Sequence, residues 1–277
     1  MMMHRKGPIP QDAVLRPKEG REVLFAAQVG SYNYNLQTEE SDEDFVIFTF
    51  PRYTDLYDRV VYSTQTVDEK NDWAIHDIRM LPDMLWNANP NSLEILFSKD
   101  IRTNSRMEYM EGAETYRLMD LPMLLSERRD RIAKMNLPHL WNSATGVVRS
   151  ELKRLKGHED QKQTQKHGYN TKAAMHAVRQ INLLRTFAES GFSDFDSALT
   201  YSGQRRQDML DIRNGALTYV EAKDVIETGL STLEDRWMEK YQSARPDESM
   251  YNLLGKMVYE TVRIYSLYEL DRDVTWK

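Results

Sequence analysis

Cysteine and long apolar runs are both missing from this chain. None of its 277 residues is cysteine, which excludes disulfides, thiolate metal ligands and a cysteine nucleophile. No apolar run approaches the roughly 20 residues of a membrane span. The basic start of the chain has no apolar segment behind it, as a secretion signal would have. We therefore expect a cytoplasmic protein.

Positive charge is in the minority, with 37 Lys and Arg against 43 Asp and Glu and a net charge of −6. This balance disfavours a protein that coats nucleic acid through its overall field. The overall charge does not exclude a local basic groove, and residues 149–172 are a candidate because they carry seven Lys or Arg against three acids. The six histidines include no close HxxxH pair. His158, His167 and His176 are evenly spaced, but the first two flank a polar loop, so we expect no three-histidine metal site.

Strand patterns fill the first part of the chain, and helical periodicity fills the rest. Short apolar runs at residues 22–30 and 44–51 predict buried strands, and residues 72–80 predict a third short strand or a strand-to-helix junction. Residues 78–100 predict a helix in two pieces, with a break at residues 87–90. Residues 128–156, 171–189 and 250–270 predict amphipathic helices. An α+β protein follows, with one domain at residues 1–120 and an all-helical domain at 121–277.

The stretch GSYNYNLQTEESDED, residues 30–44, joins a Gly-Ser pair to five acids. In a strand, Asp42 and Asp44 point to the same face, about 7 Å apart along the backbone. Two carboxylates so placed suit Mg²⁺, which also takes oxygens of a substrate phosphate. The alternative is a turn at Asp42 and a solvated strand edge at Asp44. Gly30 and Ser31 favour the first interpretation, because backbone N–H groups and a hydroxyl are the groups that receive a triphosphate.

This stretch resembles the nucleotide-binding signature of the DNA polymerase β nucleotidyltransferase superfamily. More narrowly, it is similar to the predicted nucleotidyltransferases linked to RNA repair pathways. The matching positions are Gly30, Ser31, Tyr34, Leu36, Thr38, Ser41, Asp42 and Asp44. The resemblance implies a small mixed sheet with helices, followed by helices that close a cleft, and it implies that Tyr34 and Ser41 contact the nucleotide. Asn35 replaces a glycine found in many members, a departure whose effect is limited if the turn tolerates asparagine in a left-handed conformation.

The resemblance also implies a third metal-binding carboxylate. The stretch HDIRMLPDMLWNANPNSLEIL, residues 76–96, is similar to the family's second motif and places that carboxylate at Asp77. Spacing alone leaves Asp72 as an equal rival, and Asp77 is also a candidate helix cap. Glu94 lies in the same motif, either near the site or in a structural role.

Lys172, His176 and Arg179 share one face of the helix predicted at residues 171–189, because they are spaced i, i+4 and i+7. A solvated basic face is the simpler interpretation. However, the family resemblance continues through this block, and Leu183 and Phe187 extend the face with apolar residues that need a cover. We therefore expect these cations to face the cleft and neutralise phosphates. The resemblance adds Arg213, in a later Ile-Arg-x-Gly block.

Together these features predict a Mg²⁺-dependent nucleotidyltransferase, with one or two Mg²⁺ ions. Asp42, Asp44 and Asp77 would serve as catalytic metal ligands, and ATP is the expected NTP. The expected acceptor is an RNA end or tRNA, and pyrophosphate is released. The alternatives are transfer to a protein side chain, or an inactive nucleotide sensor of the same fold. RNA binding through residues 149–172 would be sensitive to salt, whereas a protein acceptor gives no such expectation.

Overall fold

The computed structural model describes residues 11–39, 41–67, 71–104, 108–111, 114–117, 120–156 and 161–273. Seven strands all precede residue 118. They are β1 (Val23–Val29), β2 (Glu43–Thr49), β3 (Ser63–Val67), β4 (Asn71–Asp77), β5 (Ile101–Thr103), β6 (Glu108–Glu111) and β7 (Glu114–Arg117). The last two form a separate antiparallel hairpin.

The first five strands form one mixed sheet in the order β3-β4-β2-β1-β5. Strands β2 and β4 are parallel, and the other neighbours are antiparallel. In the parallel pair, Asp44 lies opposite Asp72, and Thr49 lies opposite Asp77. The first residues of β2 and β4 therefore meet at one end of the sheet, where β1 ends.

Helices carry the rest of the fold. Four short ones lie in the strand-rich part: α1 (Gln11–Val14), α2 (Tyr53–Tyr57), α3 (Leu81–Trp86) and α4 (Pro90–Leu93). Short 3-10 helices span Ile78–Met80 and Glu94–Phe97. The helical part contains α5 (Asp120–Ala133), α6 (Leu137–Arg154), α7 (Gln161–His167), α8 (Thr171–Glu189), α9 (Phe195–Leu199), α10 (Gly203–Arg213), α11 (Tyr219–Gln242) and α12 (Glu248–Asp273).

This arrangement confirms the predicted α+β class, a small mixed sheet with helices followed by a helical region. The strands at residues 22–30 and 44–51 are also confirmed, as is the break near Pro90. Residues 72–80 form the strand-to-helix junction, since β4 ends at Asp77 and a 3-10 helix follows. From Asp120 onwards, every regular element within the described ranges is a helix. None of the helices described is both long enough and apolar enough to cross a lipid bilayer.

Both faces of the sheet are buried, because apolar residues occupy successive positions along its central strands. Phe45 and Ile47 of β2 pack on one face, and Val46 and Phe48 pack on the other. The second face belongs to a large core that continues into the helical region. Helix α12 returns to the sheet, where the rings of Phe50 and Tyr265 stack with centroids 4.0 Å apart. The core therefore spans the strand-rich and helical parts of the chain.

Candidate active site

A cavity of about 430 Å³ lies between the sheet and α8. It opens where β1 ends and where β2 and β4 begin, so residues from all three strands reach it. Its polar lining residues are Gly30, Ser31, Ser41, Asp42, Asp44, Asp72, Asn91, Glu94, Lys172, His176, Arg179 and Arg213. One wall is acidic and comes from the sheet. The facing wall is basic and comes from the helices.

The acidic wall is formed by Asp42, Asp44 and Asp72. Asp44 and Asp72 are partners on the parallel strands β2 and β4, and Asp42 comes just before β2. Asp72 accepts a hydrogen bond of 2.9 Å from the Gln65 side chain. The pKa of Asp44 is raised to about 6, because burial and the negative charges of Asp72 and Asp42 together outweigh the opposing charge of Lys172. This wall therefore favours a bound cation or proton.

Asp77, which was predicted as the third site carboxylate, does not line this cavity. It lies five residues after Asp72 on β4, so its side chain points to the opposite face of the sheet. It is fully buried and accepts hydrogen bonds of 2.9 Å from both the backbone N–H and the Nε of Arg79. Asp77 thus caps the 3-10 helix that follows β4, and the rival Asp72 lies beside Asp44.

Gly30 begins the turn after β1 and lies against Asp44. Its φ is +72°, and a Cβ at this position would lie 2.5 Å from Oδ2 of Asp44. The Gly30 N–H donates a hydrogen bond of 3.2 Å to Oε2 of Glu94. Burial raises the pKa of Glu94 to about 7, although the charge of Arg179 and the bonds from Gly30 and Asn33 oppose this shift. Glu94 thus fixes the start of the turn from inside the cavity.

In the rest of the turn, some residues line the cavity and others only support its lining. Asn35 has a φ of +57°, so the turn holds this asparagine in the left-handed conformation. Ser41 lines the cavity, and its Oγ accepts a 2.9 Å bond from the Thr38 N–H. Tyr34 was expected to contact the nucleotide, but it is 1% exposed and does not line the cavity. Its ring instead lies under Arg179, whose Cζ is 3.9 Å from the ring centroid.

The basic wall brings together the four cationic residues singled out in the sequence. Lys172, His176 and Arg179 come from α8, and Arg213 comes from the end of α10. Helix α8 begins at a side-chain cap, where Oδ1 of Asn170 accepts a 3.0 Å bond from the Ala173 N–H. Along this face Lys172 is exposed, His176 is half-buried and Arg179 is buried, so the face runs from solvent into the cavity.

Arg179 is the buried member of this wall, and His176 is half-buried. Arg179 is 9% exposed, and within the described residues its Nε has no hydrogen-bond partner. Burial lowers the pKa of His176, the charges of Arg179 and Lys172 lower it further, and Glu151 opposes them. The Nδ1 of His176 lies 3.8 Å from Oε1 of Glu151. A neutral imidazole and a buried guanidinium therefore face the acidic wall.

Sequence reasoning missed some lining residues, among them Asn91 and Met175. Met175 lies three residues after Lys172, a helical spacing that places both side chains on the cavity side. In the basic segment 149–172, only Lys172 lines the cavity, and residues 157–160, including His158, lie outside the described residues. No group of three or more His, Asp or Glu side chains in the described part of the chain is gathered closely enough to hold a metal by itself.

The chain matches one known protein family over most of the elements that form this site. The sequence model of RlaP, the RNA repair pathway DNA polymerase beta family, matches residues 13–181. That span is more than half of the chain, and it contains the sheet, the acidic wall and α8 as far as Ile181. The chain belongs to the RlaP family. Within the RlaP match lie all the cavity residues named above except Arg213. Among curated proteins, none matches this RlaP chain.

Proposed function

We propose that this RlaP protein is a Mg²⁺-dependent nucleotidyltransferase that moves AMP from ATP to an RNA end and releases pyrophosphate. Membership of the family supports a polymerase-β-like nucleotidyltransferase of RNA repair. The proposal of Mg²⁺, ATP and an RNA end rests on one observation, which is that an acidic wall and a basic wall face each other across one cavity. The three carboxylates of the acidic wall face four basic side chains, and the most buried of these, Arg179, keeps an Nε without a hydrogen-bond partner in the part of the chain that the structure describes.

The acidic wall fits Mg²⁺. Its donors are carboxylates, which are the side chains that Mg²⁺ takes together with substrate phosphates. The carboxylates already repel one another, since Asp72 and Asp42 both raise the pKa of Asp44. We assign Asp42, Asp44 and Asp72 as the residues that would hold Mg²⁺, with phosphate oxygens as its remaining ligands. When bound, the metal supplies charge neutralisation at the phosphates and acidifies an acceptor hydroxyl.

The basic wall fits a triphosphate. Arg179 would place its unpartnered Nε towards a phosphate oxygen, while the Tyr34 ring supports its guanidinium from behind. Lys172 and Arg213 would add charge from the same wall. Ser31 and Ser41 would offer hydroxyl donors from the turn. The N–H of Gly30 already donates to Glu94. Gly30 would therefore donate no hydrogen bond to a phosphate, and its lack of a side chain would let the phosphate come close to the backbone.

In the proposed reaction, an oxygen of the acceptor hydroxyl forms a bond to the α-phosphorus. The bond from the α-phosphorus to its bridging oxygen breaks, and pyrophosphate leaves with that electron pair. The hydroxyl proton passes to Asp72, which acts as the base. Arg179, Lys172 and Arg213 hold the charge that develops on the pyrophosphate. In this proposal residues 1–120 form the nucleotidyltransferase domain and residues 121–277 the helical domain that closes the cleft.

The acceptor is proposed to be RNA because the basic segment 149–172 ends at the cavity. Lys172 belongs to both. A polyanion that reaches the cavity along this segment would release counterions, so its binding should weaken steeply as salt rises. The family's place in RNA repair agrees with this assignment.

The decisive experiment incubates the protein and Mg²⁺ with ATP labelled at the α-phosphate, in the presence of total RNA, tRNA or cell protein. We expect label in an RNA fraction, and none when the label is at the γ-phosphate. The double variant Asp42→Ala/Asp44→Ala should lose all transfer, because it removes two of the three proposed metal ligands.

The matched control is Asp224→Ala/Asp235→Ala, which removes the same two charges from exposed positions of α11. It should transfer label as the wild type does. Activity retained by Asp42→Ala/Asp44→Ala would refute the assignment of the acidic wall. Label in the protein fraction alone would identify a protein adenylyltransferase. ATP binding without transfer to any fraction would identify a nucleotide sensor.

A further inference from the structure

The turn after β1 is held by a segment of the helical region. Nε of Arg206 donates a hydrogen bond of 2.7 Å to the carbonyl oxygen of Asn35, and its Nη2 donates one of 3.2 Å to that of Gln37. The Tyr201 N–H donates a 3.1 Å bond to the carbonyl oxygen of Tyr34, and the Tyr201 carbonyl accepts a 2.8 Å bond from Nδ2 of Asn35. Four hydrogen bonds between Tyr201 or Arg206 and residues 34–37 thus hold this part of the turn.

The carbonyl oxygens in the middle of the turn are bound from outside the turn. Asn35 adopts a left-handed conformation, which glycine and asparagine visit more readily than other residues. Within the turn, the carbonyl oxygens of Gly30, Ser31 and Tyr32 accept the local hydrogen bonds. The carbonyl oxygens of Asn35 and Gln37 are instead bound by Arg206, whose charge strengthens both bonds.

We propose that Arg206 is a positioning residue for nucleotide binding, and this inference rests on the proposed nucleotidyl transfer. Arg206 does not line the cavity, so it acts through the turn. The turn carries Gly30 and Ser31 at its start and leads to Ser41, Asp42 and Asp44. Holding its middle sets the separation between the phosphate-binding end and the acidic wall.

A second route leads from the same segment to the basic wall. Tyr201 binds the backbone of Tyr34, and the Tyr34 ring supports the guanidinium of Arg179. Tyr201 and Arg206 therefore position both ends of the proposed triphosphate site. Both residues also lie beyond the span matched by the family, which ends at residue 181.

The two acceptors of Arg206 explain why arginine is needed. A guanidinium offers several donors in a fixed plane, so it can bind two carbonyl oxygens at once, whereas a lysine is a single flexible point charge. Arg206→Lys should keep the charge but hold only one of the two carbonyl oxygens. Its behaviour should therefore lie between those of the wild type and Arg206→Gln.

The test compares Arg206→Gln with Arg205→Gln. Arg205 is the adjacent residue and is exposed, and among the described residues it makes no hydrogen bond to the turn. It contacts the ring of Tyr201, whereas Tyr201 binds the turn through its backbone. We expect Arg206→Gln to raise KM for ATP about tenfold with little change in kcat, because the turn loses two charge-assisted hydrogen bonds. Arg205→Gln should behave as the wild type. A fall in kcat at unchanged KM would indicate only a smaller folded fraction and would overturn the proposal.

Hydrogen exchange gives a readout that does not depend on turnover. The amides of residues 33–38 should exchange about tenfold faster in Arg206→Gln than in Arg205→Gln. The reason is that the turn opens more often once it has lost its two hydrogen bonds to Arg206. Equal exchange in the two variants would show that Arg206 does not hold the turn. If the wild type transfers no label, the proposed function fails, while the exchange comparison still decides whether the turn is held.

Discussion

Gly30 is the residue at which the turn and the acidic wall come closest. A Cβ added there would meet Oδ2 of Asp44 at 2.5 Å. Gly30→Ala should therefore displace the Asp44 carboxylate, and steady-state transfer should show a roughly 100-fold fall in kcat/KM, as expected for a small misplacement of reacting groups. Its left-handed φ should also lower the free energy of unfolding by about 1 kcal/mol, as measured in urea.

Gly20→Ala is the matched control for this prediction. Gly20 has a similar φ of +75°, but a Cβ there would meet nothing within 4 Å. The same backbone strain should lower its stability by about 1 kcal/mol while transfer per folded molecule is unchanged. Equal transfer by the two variants would show that contact with Asp44 is unimportant.

Sequence spacing was sufficient for the residues whose role depends on local backbone. Gly30, Ser31, Asp42 and Asp44 lie within 15 consecutive residues, so the order of strand, turn and strand fixes their positions. It was insufficient for Tyr34, because a ring that faces the core and a ring that faces a ligand give the same pattern. Only the packing of Arg179 on Tyr34 distinguishes them.

At the level of elements, side chains alternate between the two faces of β4. Asp72 and Asp77 therefore point to opposite faces, which distinguishes the two candidates for the third carboxylate. Asp72→Asn should reduce transfer roughly 100-fold or more, because it removes the proposed base. Its stability should change by no more than about 0.5 kcal/mol, because Asp72 is partly exposed. These two quantities are measured by label transfer and by urea unfolding.

Asp77→Asn should give the opposite result. The carboxylate is fully buried with Arg79, so its loss should lower the free energy of unfolding by about 2 kcal/mol. Transfer per folded molecule should stay near the wild-type value. A catalytic defect in Asp77→Asn with unchanged stability would restore the role that the family resemblance implied for it.

The sequence alone did not show that β2 pairs with β4, and this pairing is needed to choose between Asp72 and Asp77. Once Asp44 lies opposite Asp72, residues at odd separations from Asp72 point away from the cavity. Helix α8 was easier to predict, because Lys172, His176 and Arg179 repeat at helical spacing inside one element. Strands β3 and β5 were not predicted, since they are short, lie at the edges of the sheet and lack a long apolar run.

At the level of the whole molecule, α12 links the end of the described chain to the sheet. Tyr265 is 4% exposed and stacks on Phe50 at an interplanar angle of 8°. Tyr265→Ala should lower the free energy of unfolding by about 3–4 kcal/mol, as expected when a buried aromatic ring is deleted. Tyr259→Ala, on the same helix but 64% exposed, should change it by less than about 0.5 kcal/mol.

Urea unfolding followed by circular dichroism measures both variants. Equal stability of Tyr265→Ala and Tyr259→Ala would mean that α12 contributes little to holding the sheet. The sequence predicted this helix but not its destination, because its apolar stripe shows that a face is buried without showing which element covers it.

The cavity also sets an order for folding during synthesis. Its lining runs from Val29 to Arg213, so the ribosome must add more than half of the chain after β1 before the site is complete. Contacts between residues so distant in sequence form late, since closing a long loop comes before any gain from the contact. A nucleotide therefore cannot stabilise the emerging sheet, which has to remain in a non-aggregating state without ligand until α8 and α10 have been made.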